Sequence, residues 1–286
     1  MTRALFDVHT HFLPARMLRK VWAYFDEPGP LVGRPWPIQY RGSDEERVAL
    51  LRGFGVRHFT ALAYVHRPGM AEDLNAWTMG FAARTPGCLP SATFFPEPGV
   101  SGYVERAVAD GARIFKVHLQ VGGYDPREAV LDPVWGRLAE LRVPVVVHAG
   151  SGPVANGFTG PDPFGEVLRR HPGLVAIVAH MGAPEYEGFL GLAERHPGVH
   201  LDTTMVFTDF FGGPPAPLLP RVRALGLAGR VLLGSDFPNI PYAYAHQLES
   251  LERLGLGEDW LAAVCWDNAA RLFPGVADPG GAGLSG

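Results

Sequence analysis

Eight short apolar runs recur along the chain, and each is followed by a turn and a helix-like stretch. The runs are "LFDVH", ending at His9, then residues 58–65, 88–95, 113–119, 143–149, 174–180, 199–204 and 230–236. They are rich in Val, Ile, Leu and Phe and lack polar alternation, the pattern of parallel strands buried on both faces. Helical patterns fill the spaces between them. Ser43 with Glu46 forms a capping box ahead of one. Others cover 70–84, 103–111, 134–142, 164–171 and 185–196, and two more follow the last strand. Eight strand–helix units in one chain predict an α/β fold, a single-domain (β/α)8 TIM barrel spanning residues 1–273. An open doubly wound sheet is the alternative, but no Gly-rich phosphate turn follows the first strand. The segment 14–42 is expected to be a long first loop and a candidate lid. The tail, 274–286, is rich in Gly and Pro and is expected to be disordered.

Composition narrows the range of functions. Apolar residues make up 47% and charged residues only 19%, enough for a large core. A net charge of -4 without a basic run argues against a nucleic-acid partner. No apolar run reaches membrane-spanning length, and no signal-peptide pattern opens the chain. Cys88 and Cys265 stand too far apart in sequence to suggest a disulfide framework. A cytoplasmic protein acting on a small molecule, as a homodimer, is the expectation.

The chemistry gathers at the strand ends. In such a barrel the C-terminal ends of the strands build the active site. Strand one ends in His9 and His11, whose alternation aims both imidazoles the same way. With 11 His in 286 residues, about 0.4 His-x-His pairs are expected by chance, so the pair needs context. The context is Lys116 and His118 on the fourth strand, His148 ending the fifth, His180 the sixth, Asp202 on the seventh and Asp236 ending the eighth. Any one of these alone reads as a turn residue or a helix cap. As a set they read as a divalent-metal site, with imidazoles and a carboxylate as donors. Asp202 reads equally as a supporting acid. His58, His66, His200 and His246 read as structural, and His171 and His196 as loop residues.

His9-x-His11, His148, His180 and Asp236, with the phrases "PVVVHAGSGP", "VAHMG" and "LLGSDFP", resemble the amidohydrolase superfamily and its amidohydrolase-2 branch. That branch contains aminocarboxymuconate-semialdehyde decarboxylase and related decarboxylases, hydratases and hydrolases. The resemblance implies one divalent metal held by His9, His11, His148 and Asp236. Zinc is the first expectation, with manganese or cobalt as alternatives. It also implies that His180 orients or deprotonates a water. Lys116 stands where binuclear members carry a carboxylated, metal-bridging lysine, so a second metal is expected only if Lys116 is carboxylated.

These readings converge on a metal-dependent hydrolase in which Asp236 and His180 move protons and Lys116 assists. The alternative is a decarboxylase of an aromatic or muconate-like acid on the same site. That reaction needs a cation for the departing carboxylate, and Arg16, Arg34, Arg41 and Arg67 lie in the first two strand-end loops. His118, Trp36 and Tyr64 are the candidate substrate contacts, with Tyr40 and Trp77 as further aromatics that could stack on a flat substrate or pack a lid.

Overall fold

A computed structural model describes residues 3–27, 35–210 and 213–276. Nine strand segments alternate with helices: β1 (Leu5–Asp7), β2 (Val56–Thr60), β3 (Cys88–Leu89), β4 (Ser91–Thr93), β5 (Ile114–His118), β6 (Val145–His148), β7 (Ala176–Val178), β8 (Val199–Asp202) and β9 (Val231–Leu232). Every pairing is parallel, in the orders β1-β2-β3 and β4 through β9. β3 and β4 are one strand interrupted at Pro90, whose ring nitrogen has no hydrogen to give a ladder. The run read as one continuous strand over 88–95 is therefore two short pieces.

The ring closes between the first and last strands. Val8 N donates to Leu233 O at 2.9 Å, Asp236 N to His9 O at 2.8 Å and His11 N to Phe237 O at 2.7 Å. Thr10 and Phe237 form a parallel bridge at this seam. Eight strand positions in a closed parallel ring make a TIM barrel, as the alternating pattern predicts.

Alternation along the strands sorts the core into two layers. Phe115 and Val117 of β5, and Val145 and Val147 of β6, face outward and pack with helix residues such as Trp135, Phe164 and Phe189. Ile114 and Val146 face inward and join Phe6, Val8, Leu62, Leu89, Ile177 and Leu232 in a smaller cluster fed by most of the strands. This apolar plug fills the barrel below the functional groups. Further along the same faces come Lys116 and His118, two and four residues after Ile114, and His148, two after Val146. Pairing sets His118 directly beside His148, so the register of β5 and β6 brings those rings together.

The first loop departs from expectation. Residues Ala15–Asp26 form a helix. Leu18, Val21, Trp22 and Phe25 recur at helical spacing and pack on the core. Interleaved Arg and Lys residues hide that stripe in the sequence. Segment 14–42 is thus helix followed by an extended stretch, with residues 28–34, including Arg34, outside the described residues. Tail residues 277–286 also lie outside them. Among the described residues no helix is long and apolar enough to cross a membrane.

His200 on β8 lies away from the strand-end cluster, with Nδ1 3.1 Å from Gly229 O. Burial, with the nearby cations of Arg230 and Arg142, pushes its pKa down to about 4. The unfolded chain takes a proton near the ordinary value of 6.5, so protons favour unfolding below that pH. Stability present above pH 6.5 should fall as the pH drops towards about 4. Urea midpoints measured across this window should decline less steeply in His200→Asn than in the parent.

Candidate metal centre

His9 is fixed by its neighbours before any ligand arrives. Its Nδ1 is 2.8 Å from Asp202 Oδ2 and 3.1 Å from Thr204 Oγ1. A carboxylate can only accept, so Nδ1 carries the proton and Nε2 is left with a lone pair. Burial, reinforced by the Lys116 ammonium, pushes the His9 pKa down to about 3, so the ring is neutral at pH 7. Asp202 is fully buried. Burial alone would raise its pKa, but hydrogen bonds and charge from its neighbours win and hold it below the usual carboxylate range. Its donors are His9 Nδ1, His180 N at 2.8 Å and its near neighbour Thr204 N at 3.1 Å.

His11 follows the same rule. Its Nδ1 donates to Leu62 O at 2.9 Å, which leaves Nε2 as a lone pair. That lone pair faces Asp236 Oδ1 at 2.9 Å, and His9 Nε2 lies 3.3 Å from the same oxygen. Burial opposes ionisation of Asp236, but His11, His9 and His180 outweigh it and hold the carboxyl well below its usual range. Two lone pairs and a carboxylate oxygen converging within 4.8 Å repel one another unless a cation or proton joins them. The donor set therefore fits a divalent metal of the zinc type. Among the described residues, His9, His11 and Asp236 are the group close enough to hold one ion together.

Lys116 Nζ sits 3.1 Å from His9 Nε2, fully enclosed. Burial brings its pKa down to about 8 despite the nearby carboxylates of Asp202 and Asp236. His180 Nδ1 bonds Thr204 O at 3.1 Å and leaves Nε2 free beside His9, the two ring centres being 5.3 Å apart. Burial lowers its pKa too. His148 stands outside the three-residue group. Its Nε2 is 2.9 Å from Gly152 O, its ring stacks on His118 at 3.8 Å and lies 4.9 Å from His180. Burial and neighbouring positive groups hold both His118 and His148 well below the ordinary imidazole value.

The expected substrate contacts divide. Tyr64 packs against His11 and His118 at 5.6 and 5.1 Å, at the edge of the centre. Trp36 is wedged between Phe25 and Phe210 and donates to Asn239 O at 2.7 Å, so it builds the wall beside the Asp236 loop. Tyr40 bonds Tyr244 N, and Trp77 stacks on Phe81. Three supporting residues escaped the sequence reading. Thr204 lies two positions after Asp202, on the same face of the chain, a spacing that could have exposed it. Asp7 lies two before His9, accepts from His9 N and from Tyr244 OH, and burial raises its pKa to about 7. Glu185 binds Ser151 from another loop and leaves no local signal.

Backbone shape also serves the centre. Asp236, His180 and Met205 adopt left-handed φ values of 68°, 53° and 60° just past β9, β7 and β8. Gly234 is where bulk is least tolerable. A Cβ there would come within 2.3 Å of Thr204 Oγ1 and 2.9 Å of His9 Cβ. Gly234→Ala should therefore displace His9 and lower zinc affinity about tenfold or more. Competition titration against a chromophoric chelator measures this, with circular dichroism confirming that the barrel persists.

A family model described as Amidohydrolase matches residues 6–275. No curated relative gives a sequence match. Several solved structures share the fold. A TIM-barrel protein from Bordetella bronchiseptica is 18% identical, with a TM-score of 0.73 over 94% of this chain and 98% of that one. A candidate 2-pyrone-4,6-dicarboxylic acid hydrolase from Pseudomonas putida is 18% identical, with a TM-score of 0.64 over 96% and 98%. The apo form of IDCase from Metarhizium anisopliae is 14% identical, with a TM-score of 0.63 over 94% and 97%.

Proposed function

The chain belongs to the amidohydrolase family, and from that premise we propose that it is a metal-dependent hydrolase of a small molecule. The observation that carries this reading is the convergence of His9 Nε2, His11 Nε2 and Asp236 Oδ1 beside two groups able to move a proton. His9, His11 and Asp236 would hold the ion, with His148 as the further ligand that the family resemblance implies. A divalent cation there would make water more acidic and polarise a substrate carbonyl. Asp236 keeps a second carboxylate oxygen for accepting a proton. His180 is neutral, has Nδ1–H anchored on Thr204 O and offers Nε2 as a second proton acceptor. Tyr64 and His118 border the space a substrate would enter.

Decarboxylation is the second reading, and Lys116 is the observation that favours it. A buried ammonium beside His9 could hold a departing carboxylate. The arginines expected to do this lend it less support: Arg41 pairs with Asp26, and Arg16 and Arg67 are exposed. 2-Pyrone-4,6-dicarboxylic acid, for which the Pseudomonas putida neighbour is named, is a first compound to test beside simple esters, amides and aromatic acids.

Purified protein should carry about one divalent ion per chain, lost in His11→Ala, by elemental mass spectrometry. Turnover should release a hydrolysis product without CO2, and Asp236→Asn should lower kcat by about 10²–10⁴-fold. No ion bound even after dialysis against zinc would overturn the metal reading. CO2 released in step with substrate loss would replace hydrolysis with decarboxylation.

A further inference from the structure

Four imidazoles surround the centre, and each has one ring nitrogen tied to a fixed acceptor. For His9, His11 and His180 the tied nitrogen is Nδ1, held by Asp202, Leu62 O and Thr204 O. Each of the three therefore offers Nε2. His148 is the reverse. Its Nε2 lies 2.9 Å from Gly152 O. A carbonyl only accepts, so Nε2 carries the proton and Nδ1 is the free nitrogen.

The carbonyl that sets this choice sits in a loop, and the loop is held from outside. Gly152 N donates to Ala183 O at 3.0 Å. Ser151 N donates to Glu185 Oε2 at 3.0 Å, and Ser151 Oγ donates to Glu185 Oε1. One carboxylate thus takes both hydrogen-bond donors of Ser151. The loops are packed backbone to backbone: a Cβ on Gly150 would fall 2.5 Å from Ala183 O and 2.6 Å from Gly182 C. Ala183 and Glu185 follow His180 by three and five residues, so the clamp joins the segment after β6 to the one that carries His180.

We propose that Glu185 is the positioning residue of His148: by clamping Ser151 it holds the Gly152 carbonyl on Nε2, and so makes Nδ1 the nitrogen that His148 presents to the centre. Among the described residues the Glu185 side chain hydrogen-bonds Ser151 and no group of the centre, so it acts through two residues of loop. A helix-start acid with no such task would leave the imidazole tautomer untouched when removed.

The test reads the tautomer directly. Long-range proton–nitrogen correlation spectra of metal-free, nitrogen-15-labelled protein report which ring nitrogen is protonated, and His148→Gln assigns the signals. The parent should show His148 as a single Nε2–H form. Glu185→Ala should give a mixture of both forms. Glu185→Gln should restore the parent spectrum, because the amide oxygen still accepts from Ser151 N and the amide NH2 can donate to Ser151 Oγ. Ser151→Ala removes one arm of the clamp with less risk to folding and should also give a mixture. A zinc competition titration, which rests on the metal reading above, should show affinity about tenfold weaker in Glu185→Ala. A single Nε2–H form of His148 in both Glu185→Ala and Ser151→Ala would overturn the proposal. Failure of every variant and the parent to bind zinc would sink the metal reading and leave the tautomer spectra to decide this one.

Discussion

The carboxylate of Asp202 is the point on which the centre turns. It is buried without solvent contact, and an isolated anion in such a place would be expelled or protonated. It persists because three N–H donors converge on it: His9 from just past β1, the His180 backbone from just past β7, and Thr204 from just past its own strand. Charge-assisted bonds of this kind are roughly twice as strong as neutral ones. The three donors also belong to three separate pieces of chain. One anion therefore fixes the tautomer of His9, the turn that carries His180, and the distance between them.

That arrangement depends on what lies beneath and beside it. Ile114, Val146, Ile177 and Leu232 fill the barrel interior, so the polar groups can gather only near its upper end. Strand alternation then decides which residues can join. Lys116 and His118 share a face with Ile114, and His148 shares one with Val146. Gly234 completes the fit by being absent as a side chain, since Thr204, His9 and Asp202 occupy the space a methyl group would need. Left-handed backbone at Asp236, His180 and Met205 turns the chain sharply at the ends of three neighbouring strands. Asp and His tolerate that conformation better than most residues, whereas for Met it costs about 1–3 kcal/mol. The cost falls where the turns aim functional groups inward.

Most of the barrel was legible because its signals are local. Continuous apolar runs gave the strands, and a period of two put His9 on one face with His11, and Lys116 on one face with His118. The errors arose where local and longer-range effects compete. Pro90 breaks a run that reads as one strand, because a missing N–H matters only to a neighbour in the ladder. The helix Ala15–Asp26 carries a proper apolar stripe, but its basic residues and the surrounding prolines and glycines make the whole segment resemble a loop. The supporting shell was least legible. Asp7 meets Tyr244 across 237 positions, and Glu185 meets Ser151 across 34. Nothing in either neighbourhood announces the partner, since each contact exists only once the ring has closed.

The reaction type turns on Lys116 more than on the ligands. Both proposed readings, hydrolysis and decarboxylation, would use His9, His11 and Asp236, so those residues do not separate the two. Lys116 can, because its state is finely balanced. Burial pulls its pKa down to about 8 while Asp202 and Asp236 pull the other way. At neutral pH the ammonium form still dominates, and it donates to the lone pair of His9. A divalent cation held by His9, His11 and Asp236 would take the place of this hydrogen bond. Nζ would then face two carboxylates and an added positive charge. Repulsion from that charge favours the neutral amine, which can accept a proton, whereas a bound anionic substrate favours the ammonium, which can hold a carboxylate. Under the proposed reading, the charge of the substrate would decide which of these two forms Lys116 takes.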